Sequence, residues 1–307
     1  MKSEKVDIQM SGIIDATYLP FTEDELRPHF LRGPDEQISH FTESARRYHE
    51  FFKENNLDVR QDRARGPCQI EKDERFWTAT ALKKLVESPD GVDLLAALLS
   101  KAFDSPRPPL AAFDDWRNCL TGNLHLALEA SLPSPPSYCS WLRENGSRQH
   151  FIPYVGRARE HNTGGNLEGA TSVDAVIVNV DNGFAVLIEA KVLSDVSKDV
   201  SFDTFRNQFA RSIDVMLEDG QEPRWLAARK ADRSLFVLLT PRCFKARPHS
   251  RLYGFLYEEY KHDPAALTRD LPHREENWPA LARRLGWFTF EDINEVLPGA
   301  CPWLKVA

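Results

Sequence analysis

Residues 173 to 192 read VDAVIVNVDNGFAVLIEAKV, and this stretch constrains the fold more than any other in the chain. Two apolar runs flank Asn182-Gly183, the strongest short-range signal for a two-residue hairpin loop. With that loop Asp181 opposes Phe184, Val180 opposes Ala185, and the count outward sets Asp174 opposite Lys191. Side chains alternate along a strand, so Glu189 and Lys191 share a face, and Asp174 shares it too. A loop longer by one residue would turn Asp174 to the other face. Three charges thus stand at positions where a half-buried strand carries apolar side chains, and their desolvation needs a reason.

Two carboxylates held close together repel. They ionise together most easily around a divalent cation, and carboxylate oxygens are the ligands Mg²⁺ prefers. A lysine beside a metal-bound water can orient or deprotonate it, or can stabilise developing negative charge. Together these are the parts of metal-assisted phosphodiester hydrolysis. The plainer reading is a cross-strand Asp174–Lys191 ion pair on a wet sheet face, worth little energy. The apolar runs 175–178 and 185–188 argue that both faces are covered, which favours a site.

The arrangement Val173-Asp174, then Glu189-Ala190-Lys191 on the next strand, resembles the PD-(D/E)XK nuclease superfamily, without the proline of its first motif. The resemblance implies an α/β restriction-endonuclease-like core: helix, three strands, helix, strand, a mixed sheet flanked by helices. Residues 113–250 read in that order. A helix is expected over 113–132, where Phe113, Trp116 and Leu120 recur at helical spacing, with Thr121-Gly122-Asn123 as an interruption before LHLALEASL resumes, and prolines 133, 135 and 136 end it. QHFIPYVG (149–156) is the expected first strand, the hairpin supplies the next two, and SFDTFRNQFARSIDVML forms a helix capped by Ser201 with Phe202, Phe205, Phe209, Ile213 and Met216 on one stripe. LFVLLT (235–240) is the buried fourth strand.

The resemblance further implies that Asp174, Glu189 and the Ala190 carbonyl hold Mg²⁺, with Mn²⁺ as a substitute, and that Lys191 positions or deprotonates water. It implies an additional metal-binding glutamate on the first helix, where Glu129 stands, and a polar residue on the helix after the third strand, matched by Gln208. A solvated surface role is the alternative for each. Glu168, in the connecting segment GGNLEGATS, competes with Glu129. The implied activity is Mg²⁺-dependent cleavage of nucleic acid, DNA first, by a chain that acts alone or as a homodimer. The alternative is a catalytically degenerate nuclease core serving as a nucleic-acid-binding or defence-associated interaction module.

The remaining features set bounds. A chain of 307 residues with 42% hydrophobic and 28% charged residues suits a globular protein. No apolar run approaches the ~20 residues of a membrane span, and the N-terminus has no signal-peptide character. Five scattered cysteines without a C-x-x-C pair argue against a disulfide framework or structural zinc, and for the reducing cytoplasm. The net charge of −7 speaks against non-specific coating of nucleic acid, leaving local patches to decide. One such patch is Arg242, Lys245, Arg247, His249 and Arg251; a second is Arg224, Arg229, Lys230 and Arg233. Residues 1–104 read as a helical region, with FTESARRYHEFFKENN, DERFWTATALKKLVES and VDLLAALLSKAF as helical patterns and no catalytic constellation. Residues 251–307 read as a helical extension, with Thr289 and Asp292 forming a capping box.

Overall fold

The computed structural model describes residues 12–58, 70–145, 168–196, 203, 205–221, 224–263 and 265–304. A small antiparallel pair, β1 (Ile13–Asp15) and β2 (Leu19–Thr22), leads into the short helix α1 (Glu23–Leu26). Next come α2 (Pro34–Glu54), α3 (Glu74–Val86) and α4 (Gly91–Ala102). These are the three helical patterns of the N-terminal region, and α2 buries Phe41, Ala45, Tyr48 and Phe52 as its spacing requires. The proline-rich segment 105–112 is a packed corner: Trp116 Nε1 donates to the Ser105 carbonyl at 2.9 Å, and Leu110 is buried.

The helix expected over 113–132 is not formed. Trp116–Leu120 makes the single short helix α5, and Leu124–Leu132 is strand β3. LHLALEASL satisfies two periods at once, because Leu124, Leu126 and Leu128 also alternate strictly. Its leucines, alanines and glutamate favour a helix, and eight backbone pairings with the next strand override that preference. The chain continues through α6 (Pro136–Glu144), β4 (Thr171–Asn179), β5 (Ala185–Ala190), α7 (Gln208–Met216) and β6 (Ser234–Thr240). It ends with α8 (Arg242–Lys245), α9 (Leu252–His262), α10 (Ala265–Asp270), α11 (Trp278–Arg283), β7 (Leu285–Thr289) and α12 (Phe290–Val296).

The sheet order is β3-β4-β5-β6-β7, antiparallel across β3, β4 and β5 and parallel across β5, β6 and β7. The protein is therefore α/β, with a mixed five-stranded sheet flanked by helices. β6 is buried at every position, in keeping with its unbroken apolar run. The C-terminal extension is not all helical, since Leu285–Thr289 completes the sheet. The expected Thr289–Asp292 capping box does start α12. The helix expected from Ser201 begins later, at Gln208 with Asn207 as its cap. Phe209, Ile213 and Met216 form the buried stripe while Phe205 is exposed. The expected strand 149–156, Ser201 and Phe202 lie outside the described residues.

Each sheet face has its own core. On one, Leu126, Leu128, Ala175, Ile177, Val186 and Ile188 pack with the apolar residues of α2, α3, α4 and α12. On the other, Val176, Val178, Ala185 and Leu187 pack with Phe209, Ile213 and Met216 of α7 and with Tyr253, Tyr257 and Tyr260 of α9. No helix among the described residues is long and apolar enough to cross a membrane.

Candidate active site at the carboxyl end of a central strand

The hairpin closes differently from the two-residue turn. Asn179 N donates to the Phe184 carbonyl at 2.9 Å, so the loop is Val180–Gly183, and Ala175 pairs with Ile188. Asn179 Oδ1 accepts from Asp181 N and Asn182 Oδ1 from Phe184 N. Gly183 alone in this loop has positive φ, at 76°. The pairing is displaced by two residues, which sets Asp174 opposite Glu189 rather than Lys191. Because two is the side-chain period, the displacement by itself moves no charge to the other face, and Lys191 lies close to both carboxylates.

The ladder ends at Ala175 and Ile188, one residue short of Asp174 and Glu189. Asp174 Oδ2 accepts from Ala190 N at 2.7 Å, taking the place of a strand carbonyl. Along β4, Val173 belongs to the α7 face and Ala175 to the α3 face, although residues two apart in a strand share a face. The same reversal separates Leu128 from Ala130 in β3. Both strands turn over here, and Glu129, at the centre of the reversal, has φ 48°. For a residue with a Cβ that conformation costs about 1–2 kcal/mol, and such strain collects at functional sites.

Glu189 is fully buried, while the Asp174 side chain keeps 20% of its surface exposed, so the cluster opens toward solvent on the Asp174 side. Lys191 Nζ lies 2.8 Å from Glu189 Oε1 and 4.0 Å from Asp174 Oδ2. Gln208, the first residue of α7, donates through Nε2 to Glu189 Oε1. A carboxylate from the N-terminal region completes the group. Glu74, the first residue of α3, places Oε1 3.8 Å from Lys191 Nζ, and its Oε2 accepts from Val192 N at 3.1 Å and from Ser194 Oγ at 2.5 Å.

Burial raises the pKa of Glu189, the neighbouring Asp174 raises it further, and Lys191 only partly offsets both. Burial likewise raises Asp174 against the pull of Lys191. Without a cation the pair therefore tends to keep a proton. Glu129 is pushed up to about 7, mainly by burial and then by Asp174. For Lys191 burial works against the charge, but Glu189, Asp174 and Glu74 outweigh it and the pKa rises. Lys191 is thus held as an ammonium ion, suited to placing positive charge rather than to removing a proton.

No family model, curated protein or solved structure matches this chain. What the site can do has to be read from its own atoms.

Asp174, Glu189, Lys191 and Gln208 come together, and Ala190 lies between them, its N–H held by Asp174. Glu129 stands across from Asp174 on a strand, not on a helix, and lines a small cavity with Arg32, Gln37 and Ser131. Glu168 does not join the site. Arg206 holds its Oε2 at 2.8 Å and Arg211 its Oε1 at 2.8 Å. In the second basic patch, the side chain of Arg229 is buried against the carbonyls of Val215 and Glu218, Lys230 pairs with Asp219, and Arg233 donates to the Asn182 carbonyl. These three brace the fold instead of facing a phosphate. In the first patch Arg242 is taken by Asp292 and Glu295, and Lys245 donates to the Trp287 carbonyl.

Sequence reasoning missed Glu74. Acidic residues are common in the first turn of any helix, where they favour the macrodipole, so nothing local marks this one. Its role comes from a hydrogen bond spanning 118 residues.

Among the described residues no three His, Cys, Asp or Glu side chains are grouped to hold a metal. Two opposed carboxylates are grouped, and Glu189 Oε2 is buried with no hydrogen-bond partner among the described residues. A buried carboxylate oxygen without a donor costs about 1–3 kcal/mol or more. A hard cation bound through oxygen atoms would satisfy it.

Proposed function

We propose that this chain is a metal-dependent nuclease that hydrolyses phosphodiester bonds, with DNA as its substrate. The observation that carries the reading is Glu189, sealed inside the protein beside Asp174, with one oxygen on Lys191 and the other without a hydrogen-bond partner among the described residues. Asp174 and Glu189, with the Ala190 carbonyl, would hold Mg²⁺ or Mn²⁺, and Glu129 would add to the negative field. The bound ion would supply Lewis acidity toward a phosphate oxygen.

The protein's own groups then have separate tasks. Gln208 and Lys191 fix one Glu189 oxygen, and the other has no donor among the described residues. The Ala190 N–H fixes Asp174, and the Lys191 ammonium supplies positive charge for a phosphate at the open side. Glu74 anchors the chain immediately after Lys191, which keeps that ammonium in register. The order α3, β3-β4-β5, α7, β6, with further helices between, also follows the helix, three strands, helix, strand succession of the PD-(D/E)XK superfamily. This supports a restriction-endonuclease-like core whose first helix is α3.

Cleavage of plasmid and oligonucleotide DNA with Mg²⁺ or Mn²⁺ tests the proposal, with Asp174→Ala and Lys191→Ala as controls. Activity that survives both substitutions would overturn the site assignment. The absence of a three-acid group among the described residues favours a second reading, a degenerate core that binds nucleic acid without cutting it. Calorimetry that finds no Mn²⁺ binding to the intact chain would select this second reading.

A further inference from the structure

The loop that leaves the site leads to an unusual stretch of surface. Asp195, four residues after Lys191, accepts from the backbone N–H groups of Leu252 at 2.9 Å and Tyr253 at 3.0 Å, which ties the site to the first turn of α9. Leu193 on that loop is 50% exposed, and Leu252 and Phe255 on α9 are 48% and 54% exposed. These are three of the five large apolar side chains most open to solvent among the described residues. The His249 ring lies 4.7 Å from that of Phe255, tilted by 40°.

That placement is built into the backbone. A Cβ at Gly254 would fall 2.1 Å from the Pro248 carbonyl oxygen, so glycine lets the turn bearing His249 lie directly on α9. The Arg251 guanidinium covers the Phe244 ring at 4.7 Å. No acid among the described residues pairs with Arg247 or Arg251. The nearby acids are occupied: Asp195 by the α9 amides, Glu258 by His262 and Glu259 by Arg269. Unpaired guanidinium groups, an open aromatic face and a short tether to the carboxylate pair thus meet on one rim.

We propose that this rim, formed by Arg247, His249, Arg251 and Phe255 with Leu193 and Leu252 beside them, grips single-stranded nucleic acid next to the cleavage site. The proposal rests on the nuclease reading and narrows its substrate. Phosphates supply the missing counter-charge. An aromatic face gains from stacking only on an unpaired base, because bases in a duplex already stack on each other. A fully paired duplex would satisfy the arginines and leave Phe255 in water.

Binding in EDTA, where a divalent-dependent chain does not cut, separates this proposal from the nuclease reading. Fluorescence anisotropy of the full chain would use a labelled single strand and the same strand annealed to its complement. Tighter binding of the single strand is expected, with a loss of roughly tenfold in Phe255→Ala and near-complete retention in Phe255→Tyr. Arg251→Ala should weaken binding and lower its salt dependence. Equal affinity for both forms, Phe255→Ala binding like the parent, or capture of anionic vesicles in preference to either oligonucleotide would overturn the proposal. If Phe255-dependent single-strand binding holds while no strand is cut with Mg²⁺ or Mn²⁺, the rim stands and the nuclease reading falls. Cleavage of a duplex bound as tightly as the single strand gives the reverse.

Discussion

Two clusters of buried charge flank α7, and they are built in opposite ways. Around Asp214 on α7, Arg206 and Arg274 donate to the carboxylate and His273 Nε2 lies 3.0 Å from Oδ1. Arg206 reaches on to Glu168, and its guanidinium lies 3.6 Å from the Tyr138 ring centroid. Burial pushes the Asp214 pKa up, but Arg206, His273 and Arg274 outweigh it and the carboxyl is held low. At Glu189 the balance is reversed: burial and a second carboxylate prevail over one lysine, and one oxygen has no donor among the described residues. Acid and base balance around Asp214, as they do where charges brace a core. At Glu189 acid is in excess, and the excess is what a cation would neutralise. Burial of charge alone therefore does not mark a site; the direction in which its balance fails does.

The comparison breaks most readily at Arg206. Arg206→Met takes one guanidinium from both Asp214 and Glu168, leaves Arg274 and Arg211 as their remaining arginines, and should cost about 3–5 kcal/mol of stability by urea unfolding. Mn²⁺ binding per folded molecule should not change. If Arg206→Met proves nearly neutral in stability, the Asp214 cluster does not brace the fold.

Removing charge at the other cluster should do the opposite. Asp174→Asn and Glu189→Gln should abolish Mn²⁺ binding in calorimetry and lower any cleavage rate by about a hundredfold or more, while moving stability by no more than ~1 kcal/mol. A collapse of stability in Glu189→Gln would make this cluster structural too.

The pH profiles should separate the clusters by sign. Glu189 has a folded pKa above its ordinary 4.5, so between that value and the raised one the native state holds a proton that the unfolded chain has lost. Stability falls there as pH rises, and Glu189→Gln flattens the slope. Asp214 has a folded pKa below its ordinary 3.8, so its contribution is present above that value and is lost as pH drops through the lowered one. Thermal unfolding across both windows tests this. Mn²⁺ should raise the melting temperature most on the alkaline side and leave Asp174→Asn unmoved.

The smallest effect concerns the turnover of the strands. Glu129→Gly removes a half-buried carboxyl and the φ 48° strain, at some cost in backbone entropy. A net gain of up to about 1 kcal/mol in urea unfolding is expected. A loss would show that Glu129 stabilises the reversal.

Much of the site was legible because strand periodicity is local. A two-residue turn makes the hairpin loop two residues too short, yet a shift of two keeps each side chain on its face, and Asp174, Glu189 and Lys191 do come together. Glu129 was misplaced because leucine and alanine fit a helix and a strand equally well over nine residues, and only pairing with β4 chose between them. Gln208 followed from its place at the start of the helix after β5.

Neighbours two to four residues apart were enough to reveal the apolar hairpin, the three charges it carries, and the helices α2, α3, α4, α7 and α12. Only packing brings Glu74 of an N-terminal helix to Lys191, turns Glu168 to Arg206 and Arg211, and leaves one Glu189 oxygen without a donor among the described residues. Such pairings depend on which surfaces pack together, and burial energy selects those among segments that carry no local sign of one another.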